Sequence, residues 1–260
     1  MQNWKLTLEY DGTRYGGWQK QHNARTVQGE LINATQTFLK TKVDIGGSGR
    51  TDAGVHALHQ VAHLKIKDDV SLSNKQLQIG LNDLLPHDIN VLKVENAHAN
   101  FHARHDAVSR YYIYQISTRR TAFAKNYVWW VRDRLNLTTM KEATSLLIGR
   151  HDFHSFCEDT PTEKSTIVVI EDAKIFTSGD LILFRISASH FLWKMVRRII
   201  GALVEVGREK ISVPQFKNLL EKKSKESAAW TAPSSGLFLE KVLYKGDEPP
   251  KKLKVAFPIH

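Results

Sequence analysis

The 260-residue sequence is poor in several things at once: one cysteine (Cys157), three methionines and seven prolines. A single thiol excludes an intramolecular disulfide and any Cys-rich zinc site. No apolar run approaches the roughly 18 residues that a membrane-spanning helix needs. The opening Met1-Gln2-Asn3-Trp4-Lys5-Leu6 lacks the basic-then-apolar layout of a secretory signal, so a cytoplasmic, reduced setting is expected. Acidic residues are the minority charge. Against 37 Lys and Arg there are only 27 Asp and Glu, which leaves a formal net charge of +10. That excess favours phosphate-bearing partners such as RNA, DNA, nucleotides or anionic lipid.

What is present describes an ordinary folded chain, with 42% hydrophobic and 25% charged residues. Trp4, Leu6, Leu8 and Tyr10 alternate with polar residues, the period of a half-buried strand, which the Asp11-Gly12 turn closes. Thr26 is placed to cap a helix with Val27, Leu31, Ala34 and Phe38 on one face. A strand follows with Leu58, Ala62, Leu64 and Ile66 on one side and His59, Val61, His63 and Lys65 on the other. Ser73 begins a helix carrying Leu77, Leu81 and Leu84, which Pro86 stops. Strands are expected over Ile89–Val94 and from Tyr112 through Tyr114 and Ile116. Thr139 and Glu142 suggest a capping box for a helix through Leu147. Ile167–Ile170 and Leu181–Ile186 flank Ser178-Gly179-Asp180 as a hairpin, and Leu192 to Val206 carry a helical stripe ending at Gly207. Pro214 opens a short helix, and Leu237–Tyr244 is the last strand. The basic tail with Lys251, Lys252 and Lys254 shows no evident fold.

Strands and helices mix without strict alternation, which points to α+β with a largely antiparallel mixed sheet flanked by helices. A soft boundary near Val108 separates residues 1–108 from 109–260. The chemistry concentrates in Gly46-Gly47-Ser48-Gly49-Arg50-Thr51-Asp52-Ala53-Gly54-Val55-His56-Ala57, between two predicted strands. Its four glycines permit the close backbone approach that a ligand-lining loop needs. A phosphate-binding P-loop does not fit, because the Gly-x-x-x-x-Gly-Lys-Ser/Thr spacing is absent and a strand follows. Two readings stay open on these residues alone. The loop lines a ligand site, or it is a tight turn in which Asp52 bonds nearby amides and Arg50 is solvated.

The segment resembles the signature loop of the tRNA pseudouridine synthase A family, in which Gly-Arg-Thr-Asp-Ala-Gly-Val-His surrounds the catalytic aspartate. Further stretches agree in order: Tyr10-Asp11-Gly12-Thr13-Arg14-Tyr15-Gly16-Gly17-Trp18-Gln19-Lys20-Gln21, Thr26-Val27-Gln28, Gln60-Val61-Ala62-His63 and Leu85-Pro86-His87-Asp88-Ile89. Phe101-His102-Ala103-Arg104, Arg110-Tyr111-Tyr112-Ile113-Tyr114, Gly149-Arg150-His151-Asp152-Phe153, Met195-Val196-Arg197-Arg198-Ile199-Ile200-Gly201 and Gly236-Leu237-Phe238-Leu239 complete the set. The likeness spans nearly the whole chain. Ser48 and Phe238 depart from it, standing where Ala and Tyr are frequent, and neither change removes a reactive group.

The resemblance implies the pseudouridine synthase fold, with two similar-sized subdomains and the active-site cleft between them. It implies isomerisation of uridine to pseudouridine at positions 38–40 of the tRNA anticodon stem-loop by a homodimer. Asp52 would be the nucleophile, Tyr112 would stack on the target base, and Arg197 would pair with the aspartate. Leu237, Arg50, Arg14 and Arg110 would complete the substrate-binding set, Leu237 as an apolar pocket wall and Arg14 on phosphate or wedged at the flipped base. The reaction has no net redox change and transfers no external group, so no cofactor or metal is demanded. A guanidinium suits a carboxylate that burial would otherwise protonate. Stacking on an aromatic ring offsets roughly 1–3 kcal/mol of the cost of extruding a base.

His56, His59 and His63 lack the acidic partner of a familiar zinc site and read as satisfied polar residues or RNA contacts. Cys157 reads as a buried structural thiol. Arg104, Arg110, Arg119, Arg120, Lys125, Arg132 and Arg134 suit a surface that tracks RNA phosphates. Two rivals come from other classes. A silent RNA-binding protein or folding chaperone would have no need of Asp52, and a metal-dependent nuclease would need paired carboxylates that the loop lacks.

Overall fold

A computed structural model of the chain describes residues 2–158 and 165–259. Among these, ten strands and five α-helices make an α+β protein. The chain forms two compact units, Met1–Val108 with Leu239–Pro250 and Ser109–Phe238 with Lys251–His260.

The first unit contains β1 (Gln2–Tyr10), α1 (Val27–Leu39), β2 (Asp44–Gly47), β3 (His56–Ile66), α2 (Asn74–Leu84) and β4 (Ile89–Asn96). β1 lies between β4 and β3, and β2 adds to β3, each pair antiparallel. The period of two in β1 buries Trp4, Leu6, Leu8 and Tyr10, while Lys5, Thr7 and Glu9 stay half-exposed. Thr26 caps α1 by accepting the Gly29 N–H, and Ser73 caps α2 in a reciprocal box with Gln76. Each such cap is worth about 1 kcal/mol. Pro86 disfavours helical backbone at Leu85, which is extended, so α2 ends at Leu84.

One expectation needs correction here. Leu84 is exposed and Leu85 is buried in its place, because the extended backbone beyond the helix turns Leu85 inward. Both faces of β3 are buried at its centre, Val61 and His63 on one and Ala62 and Leu64 on the other. The segment after β4 covers the face that carries His63. The Ala103 N–H donates to His63 Nδ1 at 3.1 Å, and Asn3 Nδ2 donates to the Phe101 carbonyl at 3.0 Å.

The second unit contains β5 (Ala107–Ser117), β6 (Trp129–Trp130), α3 (Leu137–Ser145), β7 (Gly149–Asp152), β8 (Ile167–Ser178), β9 (Leu181–Ala188), α4 (Met195–Gly207) and α5 (Val213–Glu221). Its strands run β5-β9-β8-β7, each neighbouring pair antiparallel, with β6 parallel to β5. Gly179-Asp180 closes the β8–β9 hairpin as a two-residue loop. The cap of α3 is Asn136 rather than Thr139. Asn136 Oδ1 accepts from the Thr138 and Thr139 amides, so the helix starts upstream, and Thr139 Oγ1 donates back to the Asn136 carbonyl. α3 ends at Ser145, short of Leu147.

α4 is the core helix of this unit and is buried almost all round, including Arg198 and Glu205. Arg198 donates to the Cys157 carbonyl and to Glu158, which Lys194 also approaches at 3.4 Å. Cys157 is itself buried. β10 (Leu237–Tyr244) begins in this unit, and from Leu239 onward it belongs to the first, beside β3. The C-terminal tail has no helix or strand, yet it is docked. Gln115 Oε1 accepts the Ala256 and Phe257 amides, and Phe257 stacks on Tyr127 with ring centroids 4.3 Å apart.

Burial lowers the His63 pKa to about 4; His102 and Lys65 add to the shift, and Asp44 opposes it. The unfolded chain therefore takes up a proton near pH 6.5 that the folded protein refuses until about pH 4. Stability contributed by neutral His63 is present above pH 6.5 and lost as the pH falls through that window. Urea unfolding should show a shallower loss from pH 6.5 to 4 for His63→Asn than for the wild type; equal slopes would disprove this. Arg198→Met should lower stability by about 2 kcal/mol, since it strips Glu158 and a buried carbonyl of their donor. An unchanged melting temperature would count against that role.

Candidate active site

The loop between β2 and β3 is built onto the segment that follows β1. Residues 12–14 form one 3-10 turn, capped by Asp11, whose carboxylate accepts the Thr13 amide. The chain then runs alongside the start of α1. The Gly16 amide donates to the Arg25 carbonyl, Val27 to Gly17, and Gln28 to Trp18. Gln28 is buried and ties three segments together, donating to the Ile45 carbonyl at 2.7 Å and accepting from the Lys20 amide and Gln19. Asp88, just before β4, accepts from the Tyr15 hydroxyl, and its carbonyl accepts the Asp11 amide.

On that platform the Asp52 loop is pinned at successive residues. The Trp18 amide donates to the Thr51 carbonyl at 3.1 Å, and the Gly54 amide donates to the Tyr15 carbonyl at 3.2 Å. The Val55 amide closes a turn onto the Asp52 carbonyl at 3.1 Å. Gly17 has φ +97°, and a Cβ there would sit 2.6 Å from the Thr51 carbonyl oxygen, so only glycine permits this approach. The Tyr10 hydroxyl meets Thr51 Oγ1 at 2.8 Å. Asp52 is half-buried at the apex of this held backbone.

The glycine run divides in two, which the sequence reading did not foresee. Gly46 and Gly47 are strand residues of β2 rather than part of a turn. A Cβ on Gly47 would lie 2.5 Å from the Trp18 indole, and one on Gly46 would lie 2.5 Å from the His63 ring. These glycines make room for buried rings. The loop proper starts at Ser48, whose amide donates to the Val61 carbonyl at 2.8 Å. Arg50 is exposed, its Nε donating to Gln19 Oε1 at 3.0 Å, and Arg14 is exposed on the 3-10 turn.

In the second unit, Tyr112 and Tyr114 share a face of β5, opposite Ile186 and Phe184 of β9. Tyr112 is buried and edge-on to Phe191, with centroids 5.2 Å apart. Tyr114 is wholly buried; its hydroxyl donates to the Pro233 carbonyl at 2.8 Å, and burial raises its pKa against the opposing charge of Arg197. Arg197 and Ala232 hold each other twice: Arg197 Nε donates to the Ala232 carbonyl at 2.7 Å, and the Ala232 amide donates to the Arg197 carbonyl at 3.1 Å. Arg110 is largely buried and donates to the Ser189 carbonyl, and Leu237 is buried at the start of β10. Of the other basic residues singled out, Arg119 pairs with Asp180 at 2.8 Å, while Arg104, Arg120, Lys125, Arg132 and Arg134 are exposed.

The three histidines are satisfied separately. His56 Nδ1 accepts the Gly12 amide at 3.0 Å, His59 Nδ1 faces the Glu240 carbonyl at 3.1 Å, and His63 takes the Ala103 amide. Sequence reasoning missed Gln60 and the role of Tyr10 beneath the loop. The available signal was a glutamine on the face that Leu58, Ala62 and Leu64 otherwise make apolar.

The sequence pattern described as tRNA pseudouridine synthase matches residues 7–106 and 143–245. Full-length relatives agree. A tRNA pseudouridine synthase A of Thermodesulfovibrio yellowstonii is 39% identical over 257 residues, covering 94% of this chain and 100% of the relative. Those of Dictyoglomus thermophilum and Clostridium acetobutylicum are 39% and 40% identical over 246 residues, with the same coverage. The chain belongs to the tRNA pseudouridine synthase family. It is an isomerase acting on uridine in tRNA, and its relatives carry the narrower name tRNA pseudouridine synthase A.

Gly17→Ala tests the platform directly. The added methyl and the unfavourable φ should cost about 1–3 kcal/mol and displace Thr51 and Asp52. Urea unfolding and pseudouridine formation should both fall; a variant unchanged in both would show that the close approach is not required.

Proposed function

We propose that Asp52 is the nucleophile in isomerisation of uridine 38, 39 or 40 in the anticodon stem-loop. In this reading Arg197 supplies the guanidinium partner of the carboxylate and Tyr112 the ring for the extruded base. Leu237, Arg50, Arg14 and Arg110 complete the substrate contacts, and the cytoplasmic homodimer follows from the family resemblance. The observation that carries the reading is the backbone around Asp52, held on both sides by hydrogen bonds at Thr51, Gly54 and Val55. A carboxylate on so constrained a turn is pre-oriented, which is where intramolecular catalysis gains most.

The reaction breaks the N1–C1′ bond of uridine and makes a C5–C1′ bond. The C5 hydrogen is lost and N1 gains a proton, so no oxidant or external group enters. A carboxylate serves two paths. It adds to C6 of the base, or it assists departure of uracil from C1′ through an oxocarbenium-like or glycal species. In both, the base must first leave its stack, and a positively charged protein can hold the surrounding phosphates meanwhile.

The test uses tRNA tritiated at uridine C5, with tritium release measured with and without EDTA. Wild-type protein should release tritium equally in both. Asp52→Asn should bind tRNA and release none, and Arg197→Ala should lose turnover more than binding. No release under binding conditions, or an active Asp52→Asn, would overturn the reading; strand cleavage would favour a nuclease.

A further inference from the structure

We propose that Tyr10 and Thr51 are positioning residues for Asp52, joined by a hydrogen-bond relay that links Gln60, Tyr10 and Thr51. The proposal rests on the assignment of Asp52 as the reacting carboxylate.

The orientation of Gln60 follows from groups that have only one role. The Val61 amide can only donate, and it lies 3.2 Å from Gln60 Oε1. The Gly49 carbonyl can only accept, and it lies 3.3 Å from Gln60 Nε2. Together they orient the Gln60 amide. Ser48 Oγ then donates to Oε1 at 2.6 Å, and Nε2 donates its other hydrogen to the Tyr10 hydroxyl at 3.4 Å. The Tyr10 oxygen thereby accepts one hydrogen, and the Tyr10 hydroxyl shares a second hydrogen bond with Thr51 Oγ1 at 2.8 Å.

Every member of this relay is buried: Ser48, Gln60, Tyr10 and Thr51. In such surroundings an unmade hydrogen bond is costly, so each link resists being broken. Burial also pushes the Tyr10 pKa up to about 12, so the phenol stays protonated. Tyr10 is anchored more firmly than a loop residue could be. It ends β1, in register with Ala57 of β3 and Ile89 of β4. The relay therefore ties the residue before Asp52 to the sheet. The Trp18 amide holds the carbonyl of that same residue. Side chain and backbone of Thr51 are both fixed, and the carboxylate one residue further inherits that position.

Such a role predicts a loss in the chemical step and not in binding, because a misplacement of about 1 Å can cost on the order of a hundredfold. Tyr10→Phe and Thr51→Val should lower kcat by about ten- to a hundredfold, with KM for tRNA changed by less than about twofold. Thr51→Ser keeps the hydroxyl and should retain most of the wild-type kcat. The double variant Tyr10→Phe/Thr51→Val should be no slower than Thr51→Val alone, since both break one relay. Rates are to be normalised to the folded fraction from thermal melting. Wild-type kcat in Tyr10→Phe, failure of Thr51→Ser to rescue, or multiplied losses in the double variant would each overturn the relay. Asp52→Asn, run alongside, separates the two claims. If it is active, the assignment of Asp52 falls and the relay with it. If it is inactive while Tyr10→Phe turns over normally, only the relay falls.

Discussion

A loop has no ladder of its own, so those of its peptide groups that water does not reach must find partners elsewhere. The Asp52 loop meets this constraint by borrowing the backbone of residues 15–18, and most of the first unit is arranged around that loan. The Trp18 and Gly54 amides stitch the two segments together. Gly17 lets them approach, and Gln28 fastens the platform to α1 and β2. Residues scattered from Tyr10 to Asp88 thus serve one purpose, which is to make the position of a single carboxylate independent of loop motion.

The second unit solves a different problem. It holds two adjacent arginines on one helix in unlike surroundings. Arg198 is drawn inward to Glu158 and the Cys157 carbonyl, where it contributes to folding. Arg197 is clamped at Nε by Ala232, which restricts the fork to a narrow range of directions. Restricting a guanidinium in advance lowers the entropy lost on forming an ion pair, as the role proposed for Arg197 requires. The same clamp lies next to the Tyr114 hydroxyl and Pro233, so β5 and the start of α4 are held in a common frame.

Local signals in the chain were read well where the physics is local. The alternation of β1, the Thr26 and Ser73 caps, the stop at Pro86, the hairpin at Gly179-Asp180 and the span of β10 each depend on a few neighbouring residues. The errors share a cause. Thr139 resembled a cap because its spacing to Glu142 fits, but Asn136 won by reaching two amides at once. The glycines at 46 and 47 resembled a turn, yet they are small because Trp18 and His63 pack against them from elsewhere in the chain.

Sequence alone therefore determined the class of fold, the elements, and through the Gly-Arg-Thr-Asp-Ala-Gly-Val-His pattern the reaction and the residue to suspect for it. Composition pointed to phosphate, and the motif narrowed this to tRNA. Tertiary structure decided which polar residues hold that aspartate. Tyr10 is far from Thr51 and Gln60 in the chain, and each reads locally as an ordinary strand or loop residue. Their hydrogen bonds exist only because antiparallel pairing of β1 with β3 brings Tyr10 against the end of the loop. A hydrogen bond is decided by distance and direction in space, and no spacing along a chain encodes either until the sheet has formed.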